Sequence, residues 1–132
     1  MQQRGEGEQA LAPAASEVWL PVTYFCVWMC RLMGWWPEMG HCAVCGLDLR
    51  GQTVWWSAVT DGVTCMEDRW GDSRWLSAAS VAESARMARV SLGQMRAEGE
   101  WPRERTADLR EFALGMLERH LERRLRSAAA LR

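Results

Sequence analysis

Cys42-Ala43-Val44-Cys45-Gly46 and, further on, Gly62-Val63-Thr64-Cys65-Met66-Glu67-Asp68 are the stretches that organise this chain, with nineteen residues between Cys45 and Cys65. Two such close pairs bracketing a short β-rich insert are how a small domain gathers four ligands around a tetrahedral zinc. Here the fourth position is an aspartate. Three readings stand open: a three-thiolate site completed by a carboxylate oxygen, a four-cysteine site weakened by the loss of one sulfur, or a relic that no longer holds metal. Gly46 favours a working knuckle, because a positive φ after the second cysteine turns neighbouring amides toward the thiolates. Between the pairs, Thr53 to Val59 reads as a strand, Asp61-Gly62 as a hairpin turn, and Val63 to Cys65 as the return strand. A two-stranded hairpin is marginal alone, so a metal clip at its base would support it.

The other uses of the cysteines fit less well. A thioredoxin-type redox pair needs a strand before it and a helix after it, whereas Cys42 follows Gly40-His41 and precedes a hairpin. Five cysteines are an odd number for a disulfide framework, and nothing marks the chain as secreted. Cys26 and Cys30 lie at helical spacing in an apolar segment and read as core. His41 is an alternative fourth ligand, but ligation by the adjacent pair His41 and Cys42 is sterically awkward. The bland alternative is that Cys42, Cys45 and Cys65 are small buried hydrophobes.

At 132 residues, 48% hydrophobic and 25% charged, the chain suits one globular core. All sixteen basic residues are arginine, and lysine, isoleucine and asparagine are absent, which reads as codon bias. The net charge of -1 hides an asymmetry: residues 1–85 carry five arginines against ten acids, and residues 86–132 eleven against seven. Val18 to Cys30 is too short to span a bilayer, and the acidic stretch before it does not suit a secretory signal. The expectation is a cytoplasmic protein with reduced thiols and no membrane contact.

Along the chain, residues 1–16 are too poor in large apolar groups to pack and read as a flexible lead-in. Ser16 or Glu17 opens a helix that tolerates Pro21 in its first turn and ends at Gly34. Its expected buried face is Val22, Phe25, Cys26, Met29, Leu32 and Met33. Trp35-Trp36-Pro37 breaks it before the knuckle insert at about 41–70. Ser77 is the expected N-cap of one helix carrying Val81, Ala85, Ala88, Leu92 and Met95 and ending near Gly99. Thr106 starts the last helix, with Leu109, Phe112, Ala113, Met116, Leu117, Leu121 and Leu125 as a continuous apolar stripe. The fold class is therefore mainly α: a small helical bundle with an inserted zinc-knuckle β-hairpin.

Tryptophans Trp19 and Trp28 fall in the first helix, and Trp75 and Trp101 at helix entries where bulky residues lock loops. Trp55 and Trp56 are adjacent on a strand and point to opposite faces, so one ring should be partly exposed and able to stack on a partner. Arg119, Arg123, Arg124 and Arg126 alternate with Glu118 and Glu122 on the last helix, either as a solvated face with i to i+4 pairs or as phosphate contacts.

Taken in order, Leu32-Met33-Gly34-Trp35-Trp36-Pro37-Glu38-Met39, the Cys42 and Cys65 motifs, Leu76-Ser77 and Leu117-Glu-Arg-His-Leu121-Glu-Arg-Arg-Leu125-Arg-Ser127 resemble the C-terminal half of the RecO family, the DNA-repair mediators of the RecF recombination pathway. The resemblance runs from about residue 18 to the end. It implies a helical domain over 17–132 carrying a zinc finger, with the metal role falling on Cys42, Cys45 and Cys65 and with Asp68 standing where the family has cysteine. It also implies binding to single- and double-stranded DNA, strand annealing, and association with RecR and the single-strand-binding protein. Family members begin with an OB-fold. Nothing before Ser16 reads as one, so weak DNA binding through Arg119, Arg123, Arg124 and Arg126, with Trp55 or Trp56 stacking, is the expectation. The rival is a stand-alone knuckle adaptor that binds protein through the hairpin tryptophans. With no second histidine beside the cysteines and no nucleophile and base pair, no catalytic residue and no enzyme activity are expected.

Overall fold

Trp19–Leu32 (α1) ends in a C-cap that its sequence announces. Gly34 takes φ +78°, its amide donates to the Arg31 carbonyl, and the Trp35 amide reaches back 2.8 Å to the Cys30 carbonyl. This is the paired bonding of a Schellman turn, which a residue without a Cβ accommodates. The computed structural model describes residues 18–57 and 61–130. The expected lead-in, the helix opening at Ser16 or Glu17 and the end of the expected strand at Val59 lie outside them. After α1 come Val54–Trp56 (β1), Arg74–Leu76 (β2), Ala78–Met87 (α2), Leu92–Ala97 (α3) and Ala107–Ala130 (α4). The architecture is mainly helical, with a small antiparallel ribbon inserted.

Of the expected buried face of α1 only Cys26 is fully buried, joined by Cys30, which also reads as core. Leu20, Thr23, Cys26, Val27 and Cys30 face the core, while Phe25, Leu32 and Met33 are exposed and Val22 and Met29 are half-buried. The helix is apolar on nearly all sides, so periodicity gives it little direction. Thr23 can be buried because its hydroxyl donates to the Trp19 carbonyl at 2.7 Å.

The ribbon also differs in partner. β1 pairs with β2, setting Val54 opposite Leu76, Trp55 opposite Trp75 and Trp56 opposite Arg74. The expected return strand Val63 to Cys65 lies on the other side of β1 and makes one bridge, in which Trp55 and Thr64 exchange both amide bonds at 3.0 and 2.8 Å. Trp75, expected at a helix entry, is instead on the outer face of this ribbon beside Trp55 and is 61% exposed.

The expected single helix from Ser77 to Gly99 is two. Ser77 caps α2 by accepting from the Ser80 amide, and Ser91 opens α3 with a reciprocal capping box to Gln94. Side chains of α1 finish α2: Arg31 donates to the Ser84 carbonyl, Trp28 to Met87 and Tyr24 to Val90, each at 2.7 to 2.9 Å. These three donors satisfy carbonyls at the end of α2 and just beyond it, which a continuing helix would have used itself. Ser80, Ser84, Met87 and Met95 are buried, and Ala85 and Ala88 are exposed. Ser91→Ala is expected to cost about 1 kcal/mol of stability in urea unfolding, and an unchanged midpoint would show that packing alone holds α3.

At the N-terminus of α4, Asp108 accepts from the Ser77 amide at 2.8 Å and from the Ser80 hydroxyl, which ties α4 to the start of α2. Leu109, Phe112, Ala113 and Met116 carry the expected stripe into the core, but Leu121 and Leu125 are 51% and 71% exposed. Phe112 meets Trp36 edge-on at 5.3 Å and Trp56 at 5.0 Å, so one ring joins α4, the exit of α1 and β1.

Candidate metal centre

The first knuckle is built by backbone hydrogen bonds. Gly46 at φ +80° lets its amide donate to the Cys42 carbonyl, while the Cys42 amide donates to the Leu47 carbonyl at 2.8 Å. The turn aims the Val44 and Cys45 amides at the Cys42 sulfur, at 3.4 and 3.5 Å. Gly62, at φ +81°, passes so close to the first knuckle that an added Cβ would lie 3.0 Å from that of Ala43. The Ala43 amide donates to the Val63 carbonyl, joining this knuckle to the segment that delivers Cys65 and Asp68.

The donor atoms of Cys42, Cys45, Cys65 and Asp68 all lie within 4.8 Å of one another. The Asp68 Oδ2 atom is 3.3 Å from both the Cys42 and Cys65 sulfurs, and the Cys45 and Cys65 sulfurs are 3.9 Å apart. Two sulfurs each about 2.3 Å from a common tetrahedral centre would sit about 3.8 Å apart, so the cluster has the dimensions of a coordination shell. Three sulfurs and one carboxylate oxygen are close enough to hold a metal ion. His41 stands outside this set, exposed and 3.6 Å from Glu38.

The charges agree with that use. Burial opposes ionisation of Cys42, yet the amides of Cys45, Cys65 and Val44 hold its thiol below the usual value. The Asp68 carboxylate pushes the Cys45 thiol up to about 12. Hydrogen bonds from the thiols of Cys45, Cys65 and Cys42 hold Asp68 below the usual carboxylate range. Three thiol protons shared with one carboxylate are what a divalent cation would displace, so affinity for metal falls as pH falls.

The insert is locked to α4. Trp35 stacks on His120 with ring centroids 4.4 Å apart and planes 7° from parallel, and Arg119 pairs with Asp61 at 3.1 Å. Burial and the neighbouring Arg119 and Arg123 cations lower the His120 pKa. Between these parts lies a cleft of about 420 Å³, lined by Trp35, His41, Cys42, Arg119, His120 and Arg123 among others. Neither Trp35 nor His120 is singled out by composition or spacing, since their pairing spans nearly two thirds of the chain.

The arginines of α4 fall into two groups. Arg119 is mostly buried and engaged with Asp61, whereas Arg123, Arg124 and Arg126 are exposed, Arg126 lying 3.5 Å from Glu122. Trp55 and Trp56 are both half-buried and point to opposite faces, Trp55 toward Trp75 under the Arg69 guanidinium and Trp56 toward Phe112. Arginines also lie over Trp19, Trp36 and Trp101, so these indoles serve as internal plates.

Among the described residues no helix is long and apolar enough to cross a membrane. Residues 9–129 match the family described as recombination protein O C terminal. The chain is 43% identical over 115 residues to the DNA repair protein RecO of Koribacter versatilis (strain Ellin345), covering 87% of this chain and 46% of that protein. The chain thus spans less than half the length of that relative. No solved structure matches it. A family match over most of its length, joined to a relative of this identity, shows that the chain belongs to the RecO C-terminal family.

Proposed function

We propose that this chain is a recombination mediator of the RecO type, a binding protein and not an enzyme. Its helical bundle carries a metal-clipped insert and meets single- and double-stranded DNA weakly through exposed arginines of α4. The observation that carries the reading is the convergence of Cys42, Cys45, Cys65 and Asp68 in a chain of this family. Zinc is the metal that this donor set suits, where it would act as a structural clip. Recruitment of RecR and the single-strand-binding protein follows from the family, as does a cytoplasmic location. Arg123, Arg124 and Arg126 carry phosphate contact, with Trp55 or Trp56 stacking beside them. Arg119 enters this surface through the position that Asp61 gives it.

The test is salt-dependent binding of a labelled single-stranded oligonucleotide. Each arginine on a phosphate adds roughly 0.7 to the slope of log affinity against log salt, so replacing Arg123, Arg124 and Arg126 together by glutamine should lower the slope by about 2. No binding even at low salt would remove the DNA role. The second reading, a protein-binding adaptor, is favoured by the exposed Trp75 beside Trp55, and it predicts no salt slope to flatten.

A further inference from the structure

Two of the four donors at the metal centre are placed to react with each other. The Cys45 and Cys65 sulfurs are 3.9 Å apart, and both residues are free thiols. A disulfide brings its sulfurs to about 2.05 Å, so each has to move by roughly 1 Å, within the reach of side-chain rotation. The Cys42 sulfur is engaged elsewhere. It accepts from the Val44 and Cys45 amides, and the Asp68 Oδ2 atom lies 3.3 Å from both it and the Cys65 sulfur. Cys42 is also buried, whereas Cys45 is exposed and gives small solutes a way to the pair. Asp68 sets the count. Four thiols would oxidise to two bonds, but three thiols and a carboxylate form one bond and leave one thiol over.

We propose that Cys45 and Cys65 are a modification site, oxidised by peroxide to a disulfide that takes the place of the metal clip. The thiolate of one attacks a peroxide oxygen: an S–O bond forms, the O–O bond breaks and hydroxide leaves. The thiolate of the other attacks that sulfenic sulfur, forming the S–S bond and expelling the second oxygen as hydroxide. The two sulfurs give up two electrons, and the two thiol protons leave with the oxygens as two waters. The order in which the two react does not change the product, and Cys42 stays a thiol. The bond joins the first knuckle to the segment bearing Cys65, the same junction that the Ala43 amide makes to the Val63 carbonyl. It therefore keeps the insert closed while consuming two of the four donors, so that holding metal and holding the disulfide exclude each other. In a reducing compartment such a bond is transient, formed under oxidant and undone by thiols.

The test is to reduce the full chain, strip it of metal with a chelator, treat it with hydrogen peroxide, alkylate the remaining thiols in denaturant and map the tryptic peptides by mass spectrometry. Cleavage at Arg31, Arg50 and Arg69 puts Cys42 and Cys45 in one peptide and Cys65 in the next. The expected result is peptide 32–50 joined to peptide 51–69, with the alkyl group on Cys42. Cys42→Ser should leave the joined peptide in place, and Cys65→Ser should abolish it. The same oxidation in urea should give a mixture of pairings, which shows that the fold selects this one. Dithiothreitol should restore metal uptake to the oxidised chain, read with a chromophoric chelator. The map itself needs no metal, so it stands or falls apart from the zinc reading. A Cys42 to Cys45 bond, which leaves Cys65 alkylated, would overturn the proposal, as would the alkyl group on Cys45 of the joined peptide. So would the same mixture with and without urea, or no disulfide at peroxide doses that oxidise free cysteine.

Discussion

Asp68→Cys is expected to tighten zinc binding by about tenfold to a hundredfold, since a fourth thiolate suits the ion better than a carboxylate and the position already lies 3.3 Å from two of the sulfurs. Tenfold is about 1.4 kcal/mol, and because metal binds the folded chain, the melting temperature in excess zinc should rise with it. Competition against a chromophoric chelator reads the affinity, and cobalt substitution reports the added sulfur through its absorption. Asp68→Ala should move affinity the other way. Equal affinities for the parent, the cysteine variant and the alanine variant would show that Asp68 is a neighbour of the site and not part of it.

Phe112→Ala should be the most damaging single truncation in the core, at about 3–5 kcal/mol. The ring is 2% exposed and meets both Trp36 and Trp56 edge-on, so its loss opens a cavity where three parts of the fold join. Urea unfolding with an unchanged slope gives the comparison. Leu125→Ala, on the same helix but 71% exposed, should stay within about 0.5 kcal/mol of the parent. A Phe112→Ala cost below about 1 kcal/mol would mean that the indoles close over the gap. The same variant should weaken metal binding, because Trp36 leads directly into the first knuckle.

The knuckles were legible because their information is local. Cysteine spacing, Gly46 and Gly62 each state a turn, and the four donors converge as the spacing implies. Ser77 and Gly34 announced their caps in the same way. What escaped depends on contacts far along the chain. β2 is three residues long and pairs across a gap that hides its partner, so Trp75-Leu76 looked like a helix entry. The break between α2 and α3 had a local sign, Ser91 with Gln94 three residues on, but a run of apolar residues at helical spacing masked it. Beyond Cys26 and Cys30 the inward face of α1 was unreadable, because both faces are apolar. Which one is buried is decided by the helices it meets, and the leftover face is the one that the strongest periodicity picks out.

Ala107–Ala130 is one helix in two environments. Its 24 residues extend about 36 Å, the first half seated under Trp36 and Trp56 and every residue from Leu121 to Ala130 exposed. An isolated helical segment of ten residues is marginal in water, so the outer half holds its shape by extension from the seated half. Amide hydrogen exchange along α4 should therefore run on two timescales: near the global unfolding rate up to about Met116, and orders of magnitude faster beyond Leu121. The exposed arginines sit on the fast-exchanging half. A phosphate backbone that engaged them would slow that exchange, and the ordering cost would be met at the moment of contact.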